Sequence, residues 1–542
     1  LYLKSLIREK ISKKYFDLFG SDPVEFTVEI PPQSFGDYSS NVAMVSAKTL
    51  KKSPKIIAQA LIDAFQGDAE FELVEMAGPG FLNFKLSNTL YRNLIKKYAK
   101  KVDMPKAKPQ KIQFEFVSAN PTGPLTVGHG RQAVIGDILS RLNTAVGKNV
   151  TREYYFNDAG RQMKMLGHST WIRYNELYGK KFEFEEDDYV ADYLVDVAKS
   201  ISEEYGDRYV NIWNDEVQSF FTSYASKKIF EWIKRTLEKL HVPFDVYFSE
   251  QTLYKTGLTD EAMKILKDRG YIYEKDDSTW FAVSKILSNE DDRVIIRKNG
   301  EPTYFFSDIA YMLDKYRRGF EKVYYIWGAD HHGYIPRMLA VSKALGIPDE
   351  FFNVILHQFV TLKSGEEIVR MSKRHGDFVT LEDLIDAVGV DATRYFFAMM
   401  DPDTTLVFDV DLAKSKRMDN PVYYVQYAHA RISSLMKNAR EKGIEYEDAS
   451  LGSISKDEGT IVREMDEFQD VVIAAIEQQK PQKICNYAYS LSEKFHSYYT
   501  DHRIVDPENM ERSKDRLKLC TCVKNVLEIT LSLIGVSAPD EM

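Results

Sequence analysis

The most constraining feature of this sequence lies between residues 112 and 146. Residues 112–117 (Ile-Gln-Phe-Glu-Phe-Val) are apolar enough for a strand. A Pro/Gly-rich loop follows, Ala119-Asn120-Pro121-Thr122-Gly123-Pro124. After Gly128-His129-Gly130, the residues Val134, Ile135, Ile138, Leu139, Leu142 and Val146 keep helical spacing. Strand, glycine loop and helix in that order open a nucleotide-binding α/β unit with a parallel sheet. The pattern resumes at residues 303–306, 323–327 and 354–362. The stretch between, about 165–295, reads as an insertion, with acidic helices such as 182–205 and strand-like runs at 279–283 and 293–297.

The two ends differ from this middle. Residues 1–19 have helical spacing, 24–30 alternate as a strand, 41–64 read as two helices, and 81–86 as a strand after Gly78-Pro79-Gly80. Residues 101–111, rich in Lys and Pro, read as a linker. From about residue 405 onward, helical period dominates at 422–437, 460–479, 484–498 and 517–533, a helical bundle. Three domains are therefore expected, 1–105, 106–404 and 405–542, within the three or four that 542 residues suggest.

Apolar residues at 44% and charged residues at 28% exclude disordered and fibrous classes. No apolar stretch approaches a membrane span, and the opening Tyr2-Leu3-Lys4 reads as helix rather than signal peptide. Cys485, Cys520 and Cys522 lack a four-ligand zinc spacing; buried reduced thiols and a cytoplasmic location are expected. The net charge of −9 does not favour a nucleic-acid partner, yet residues 1–110 carry 17 Lys and Arg against 12 Asp and Glu. Phosphate binding needs only such a local surface.

Two runs carry candidate chemistry. Thr126-Val127-Gly128-His129 stands where the helix begins. Glycine lets a phosphate approach the backbone, and a helix N-terminus favours an anion. An ordinary glycine turn is the plain alternative. Arg370-Met371-Ser372-Lys373-Arg374 places three cations beside glycine-containing turns, suited to a polyphosphate or simply to solvent.

Taken together and in order, the two runs resemble the HIGH and KMSKS signatures of class I aminoacyl-tRNA synthetases. Their surroundings resemble the arginyl-tRNA synthetase family. The matching stretches are residues 116–129, Tyr304-Phe305-Phe306-Ser307-Asp308-Ile309-Ala310-Tyr311, and Asn420-Pro421-Val422-Tyr423-Tyr424-Val425-Gln426-Tyr427-Ala428-His429-Ala430-Arg431. Gly36-Asp37-Tyr38 and residues 77–84 resemble that family's additional N-terminal domain, and residues 535–542 its C-terminus. The resemblance spans nearly the whole chain. Two positions depart from it: Thr126 replaces the first His of HIGH, and Arg370 replaces the first Lys of KMSKS.

The resemblance implies ATP-dependent attachment of L-arginine to tRNA(Arg) through arginyl-adenylate, releasing AMP and pyrophosphate. It implies an α/β fold: a Rossmann-like parallel-sheet catalytic domain with an insertion, an α+β N-terminal domain on the tRNA elbow, and an all-α anticodon-binding bundle. His129 and Lys373, with Thr126, would be catalytic. ATP, with Mg²⁺, would meet Gly128, His129, Arg370, Met371, Lys373, Arg374, Asp330, His332 and Gln358. Arginine would meet Glu115, Ser118, Asn120, Tyr304, Asp308 and His331. The tRNA would meet Phe81 and Asn83 at one end, and Tyr427, Tyr498, Tyr499 and Met542 at the other. No resident metal, structural zinc or membrane partner is implied, and a monomer is expected.

The residue chemistry agrees, because a guanidinium offers five donors, never loses its charge and needs carboxylates. Asp308 has an alternative as a helix N-cap, and Asp330-His331-His332 an alternative as a metal site lacking a third spaced ligand. Phe81 has one as a core residue. A rival reading is a catalytically weak tRNA-binding or regulatory paralogue. It would gain from loss of His129 or Lys373, and both are present.

Overall fold

The structure is a computed structural model and describes the chain apart from residues 1, 33–34, 157–160, 366 and 370–379. At its centre is a five-stranded parallel sheet. Across it the strands run Phe352–His357, Lys322–Gly328, Lys111–Glu115, Asn149–Phe156 and Val246–Ser249. The first strand along the chain is therefore central, and the order reverses between Lys111–Glu115 and Lys322–Gly328. In an open α/β sheet, ligands bind outside the carboxyl ends of the strands at that reversal.

The helix after the glycine loop, Val127–Ala145, lies directly on this sheet. Its close approach needs Gly136, where a Cβ would sit 2.4 Å from the Phe116 ring. Both sides of the helix are buried: Ile135, Ile138 and Leu142 on one side, Val134 and Arg131 on another.

Four expectations change in the structure. Val246–Ser249 pairs with Asn149–Phe156, so the stretch 165–295 is not one insertion. Helices Arg161–Leu177, Tyr193–Tyr205 and Asp215–Lys239 make one excursion. The antiparallel strands Ile272–Lys275, Ser278–Phe281 and Arg293–Ile296 make another, with a sheet strand between the two. Residues 303–306 do not continue a strand pattern: Thr303 is the N-cap of helix Tyr304–Arg317. Residues 24–30 pair only at Val28–Glu29: the Thr27 N–H is taken by the Asn41 side chain, and Pro31 and Pro32 cannot carry a ladder onward. Residues 460–479 divide into Lys456–Asp466 and Phe468–Glu477.

Residues before the catalytic sheet form a four-stranded antiparallel sheet in the order Val28–Glu29, Tyr38–Ser40, Phe81–Leu86, Phe71–Ala77. This region is seated on the C-terminal helices. Helix Asn88–Lys100 packs along Met510–Ile534. Asp466 accepts hydrogen bonds from the Leu3 backbone N–H at 2.6 Å and the Tyr98 hydroxyl at 3.0 Å. Arg463 pairs with Asp37 and donates to the Tyr91 hydroxyl at 2.7 Å. Among the described residues, no helix is long and apolar enough to cross a membrane.

Candidate active site

At the sheet's reversal point lies a crevice of about 740 Å³. The end of Lys111–Glu115, the loop after it and the start of Val127–Ala145 form one wall. Trp327–Asp330, at the end of the neighbouring strand, form the other.

The phosphate-ready corner is built by Thr126 and His129. Thr126 is the extended N-cap of the helix, and His129 is its third residue. The Thr126 N–H donates to His129 Nδ1 at 3.1 Å, and Thr126 Oγ1 lies 3.1 Å from the same nitrogen. A ring accepting at Nδ1 carries its proton on Nε2 when neutral. Burial lowers the imidazole's pKa, which favours that neutral form. His129 therefore offers an Nε2–H donor beside a helix N-terminus. Thr126 caps the helix and fixes the ring. A Cβ on Gly128 would meet only Thr126 Oγ1, at 3.7 Å, so nothing in the protein fills the space beside that backbone.

Deeper in the crevice, carboxylates converge from three elements. Glu115 ends the central strand, Glu250 follows Val246–Ser249, and Asp308 lies in helix Tyr304–Arg317. Asp308 is not an N-cap; Thr303 holds that position, and the Asp308 carboxylate accepts from the Tyr334 hydroxyl. Burial, reinforced by the charges of Glu115 and Glu250, pushes the Asp308 pKa up to about 7. Glu250 accepts from Ser307 Oγ at 2.7 Å, and Ser307 in turn accepts from the Tyr254 hydroxyl at 2.8 Å. Glu115 accepts from Ser118 Oγ at 3.1 Å and pairs with the buried Lys315. Tyr304 stands exposed at the mouth, and Asn120 donates from Nδ2 to Gln162 Oε1 at 2.9 Å.

Thr126, Gly128, His129, Glu115, Ser118, Asn120, Tyr304, Asp308, Asp330 and His331 thus share one crevice. His332 and Gln358 do not line it. His332 is exposed on the turn Ala329–Tyr334, and the Gln358 backbone is held by Arg131 and Pro402. Arg370, Met371, Lys373 and Arg374 lie outside the described residues. The sequence reading does not find Glu250, Ser307, Tyr155 and Tyr334. Ser307 lies inside the run 304–311, and the other three sit in polar or aromatic runs with no local signal; each gains its place from a partner on another element.

Two smaller clefts, each about 410 Å³, lie away from the crevice. The N-terminal one is lined by Phe35, Phe81 and Asn83. Phe81 is partly exposed there, which sets aside its core alternative, while Asn83 is buried with Oδ1 accepting from Ser39 at 2.7 Å. The C-terminal one is lined by Tyr427, Arg431, Tyr499 and Met542. The Arg431 guanidinium lies 4.5 Å from the ring centroids of both Tyr427 and Tyr499. Tyr498 is a correction. It is buried in the bundle core with its hydroxyl on Glu458 at 2.7 Å, and it presents no face for stacking.

Comparison with known proteins covers the whole chain. Residues 2–86 match the arginyl tRNA synthetase N terminal domain family. Residues 90–425 match the tRNA synthetases class I (R) catalytic domain, and residues 425–542 the DALR anticodon binding domain. The chain is 52% identical over 549 residues to an arginine–tRNA ligase of Thermotoga maritima, covering 100% of each. It is 42% identical to that of Geobacillus thermodenitrificans, covering 100% of this chain and 98% of the relative. The solved arginyl-tRNA synthetase of Thermus thermophilus shares the fold, with a TM-score of 0.75 over 100% of both chains at 21% identity.

Proposed function

The chain belongs to the arginine–tRNA ligase family, and on that footing we propose how its crevice carries the reaction. The enzyme attaches L-arginine to tRNA(Arg) at the expense of ATP. The arginine carboxylate attacks the α-phosphorus, and pyrophosphate leaves. The 2′-hydroxyl of the terminal tRNA adenosine then attacks the adenylate carbonyl, and AMP leaves.

The observation that carries the site assignment is the convergence of Glu115, Glu250 and Asp308 beside a helix N-terminus. Glu250 and Asp308 hold the guanidinium as a fork; a lysine ammonium cannot match that geometry. Tyr304 covers the side chain. Asn120 and His331 contact the amino-acid end, with Glu115 and Ser118 forming the wall behind it. His129 donates from Nε2 to the α-phosphate as its charge builds, aligned by Thr126. Gly128 lets the nucleotide lie against the backbone, with Asp330 at the rim. Lys373 stabilises the α-phosphate together with His129, Arg370 and Arg374 hold the β- and γ-phosphates, and Met371 belongs to the same run. Mg²⁺ enters with the nucleotide, as MgATP.

For the tRNA, residues 1–105 take the elbow through Phe81 and Asn83, and residues 405–542 take the anticodon through Tyr427, Tyr499 and Met542. Rings partly exposed in a cleft, as Phe81, Tyr427 and Tyr499 are, stack on unpaired bases. The catalytic unit is residues 106–404. A monomer in a reducing, cytoplasmic compartment suits three buried free thiols.

The test is ATP–pyrophosphate exchange with arginine, with and without tRNA(Arg), against lysine and glutamate. Exchange with arginine alone among the amino acids is expected. Equal exchange with lysine would remove the fork, and silence under all conditions would favour the tRNA-binding paralogue.

A further inference from the structure

The buried charges around the crevice are uneven. Three carboxylates meet there, and one ammonium reaches them from inside. Lys315 is fully buried on the helix that carries Asp308, two turns further on and on the same face. Its Nζ donates to Glu115 Oε2 and lies 4.2 Å and 3.8 Å from the ring centroids of Tyr311 and Tyr325. Behind it, Glu153 is occupied separately by Arg318 and the Tyr311 hydroxyl.

Glu115 passes this anchoring on. Its Oε1 accepts from Ser118 Oγ at 3.1 Å. The Ser118 N–H donates to the Phe116 carbonyl at 3.0 Å, around Val117 at φ 68°. A two-residue hydrogen bond around a residue of positive φ is the strained hand of the γ-turn. A β-branched residue adopts that conformation only when its surroundings impose it. The imposing contacts are Glu115 on Ser118, the Tyr155 N–H on Ser118 Oγ at 3.1 Å, and the Tyr154 hydroxyl on the Ala119 carbonyl at 2.7 Å. The turn directs residues 118–120 along the crevice wall.

We propose that Lys315 is the internal counter-ion of the arginine pocket and a positioning residue. It holds Glu115 on the strained turn and offsets part of the negative charge around Asp308, which the substrate guanidinium completes. This deepens the functional reading above and rests on it. The groups facing Asp308 are the carboxylates of Glu115 and Glu250, the hydroxyls of Tyr334, Tyr155, Tyr254 and Tyr325, and the ammonium of Lys315. The carboxylates disfavour its ionisation, and Lys315 favours it.

The experiment is calorimetric titration of the full chain with L-arginine across a pH series, with ATP titrations as the check on folding. In the wild type, arginine affinity rises with pH through a midpoint set by Asp308. Lys315→Met moves that midpoint up by about one pH unit, the size expected for losing a nearby opposite charge. Glu115→Gln moves it down, because a repelling carboxylate is gone. Lys315→Met combined with Glu115→Gln returns it close to the wild-type value. ATP affinity stays within about twofold throughout, a change under 0.5 kcal/mol. A purely structural lysine would weaken arginine and ATP together and leave the midpoint in place; that result overturns the proposal. So does a shift of both single variants in the same direction. If Lys315→Met does not fold, Lys315→Gln, which keeps a donor toward Glu115 and removes the charge, makes the same upward shift, and an unmoved midpoint there overturns the proposal. A folded wild type that binds ATP but no arginine at any pH overturns the functional reading itself, and this inference with it.

Discussion

Asp137 and Asp308 are carboxylates on helices beside the same sheet, the first fully buried and the second half-buried at a crevice wall, and the protein treats them oppositely. Asp137, midway along Val127–Ala145, receives Arg394 at 2.5 Å and Arg141 at 2.6 Å. Arg394 is itself fully buried and spends its remaining donors on the carbonyls of Ile534 and Leu240, each at 3.0 Å. That node joins the catalytic helix, the end of the insertion helix Asp215–Lys239 and the end of Met510–Ile534. Asp308 receives one tyrosine hydroxyl and faces two further carboxylates. A buried charge whose partners are all supplied by the chain is a joint. One left in surplus, on the wall of an opening, is a place for a ligand.

The largest expected effect comes from breaking the joint. Arg394→Met leaves Asp137 short of its main partner and strands carbonyls that Arg394 served. Loss of one member of a buried pair costs about 3–5 kcal/mol. Urea unfolding should show that loss, with the arginine KM of the folded fraction unchanged. A variant as stable as the wild type would mean the node joins nothing.

Next comes Asp308→Asn, which should do the reverse. Arginine KM rises about 100-fold, equivalent to ~3 kcal/mol, within the range for truncating a buried charged contact. Stability does not fall, and its pH dependence supplies the sign. The folded pKa, about 7, lies above the ordinary carboxylate value of 3.8. The protonated group is therefore compatible with the fold, and stability is lost as pH rises from the ordinary value through about 7. Asparagine removes that loss, so thermal melts of wild type and variant should diverge with rising pH, the variant being the more stable. Arginine, by supplying the missing cation, should stabilise the wild type more above that pH than below it. Parallel melting curves would deny the surplus charge.

The contrast between joint and surplus also explains what the sequence made visible. The strand, the glycine loop and the helix at residues 112–146 obey local periodicity, and they form as read. Asp308 and Tyr304 are found through a motif that keeps them on one helix. Glu250 is not found, because its site partner Ser307 is 57 residues away on another element. Arg152 and Glu153 interrupt the pattern of residues 149–156 and hide a core strand; Arg318, 165 residues on, and the Tyr311 hydroxyl make the burial of Glu153 tolerable. Periodicity reports which face is apolar. It does not report which charges will meet, and the surplus that makes a site exists only after they have met.

The smallest predicted effect applies the same contrast to two adjacent tyrosines. Tyr498 is buried with its hydroxyl donated to Glu458, which Arg512 also holds at 2.7 and 2.8 Å. Tyr499 is half-buried against the Arg431 guanidinium and lines the open C-terminal cleft. Tyr498→Phe keeps the ring and removes one buried hydrogen bond, so it costs about 1 kcal/mol of stability. It should leave tRNA(Arg) affinity untouched. Tyr499→Leu should leave stability within about 0.5 kcal/mol, as surface changes do. It should weaken tRNA binding about fivefold, the low end of base stacking on an aromatic ring. Filter binding and urea melts on the same two proteins separate the readings. Should Tyr498→Phe weaken tRNA binding as much as Tyr499→Leu does, burial would no longer distinguish a residue that holds the bundle from one that meets a base.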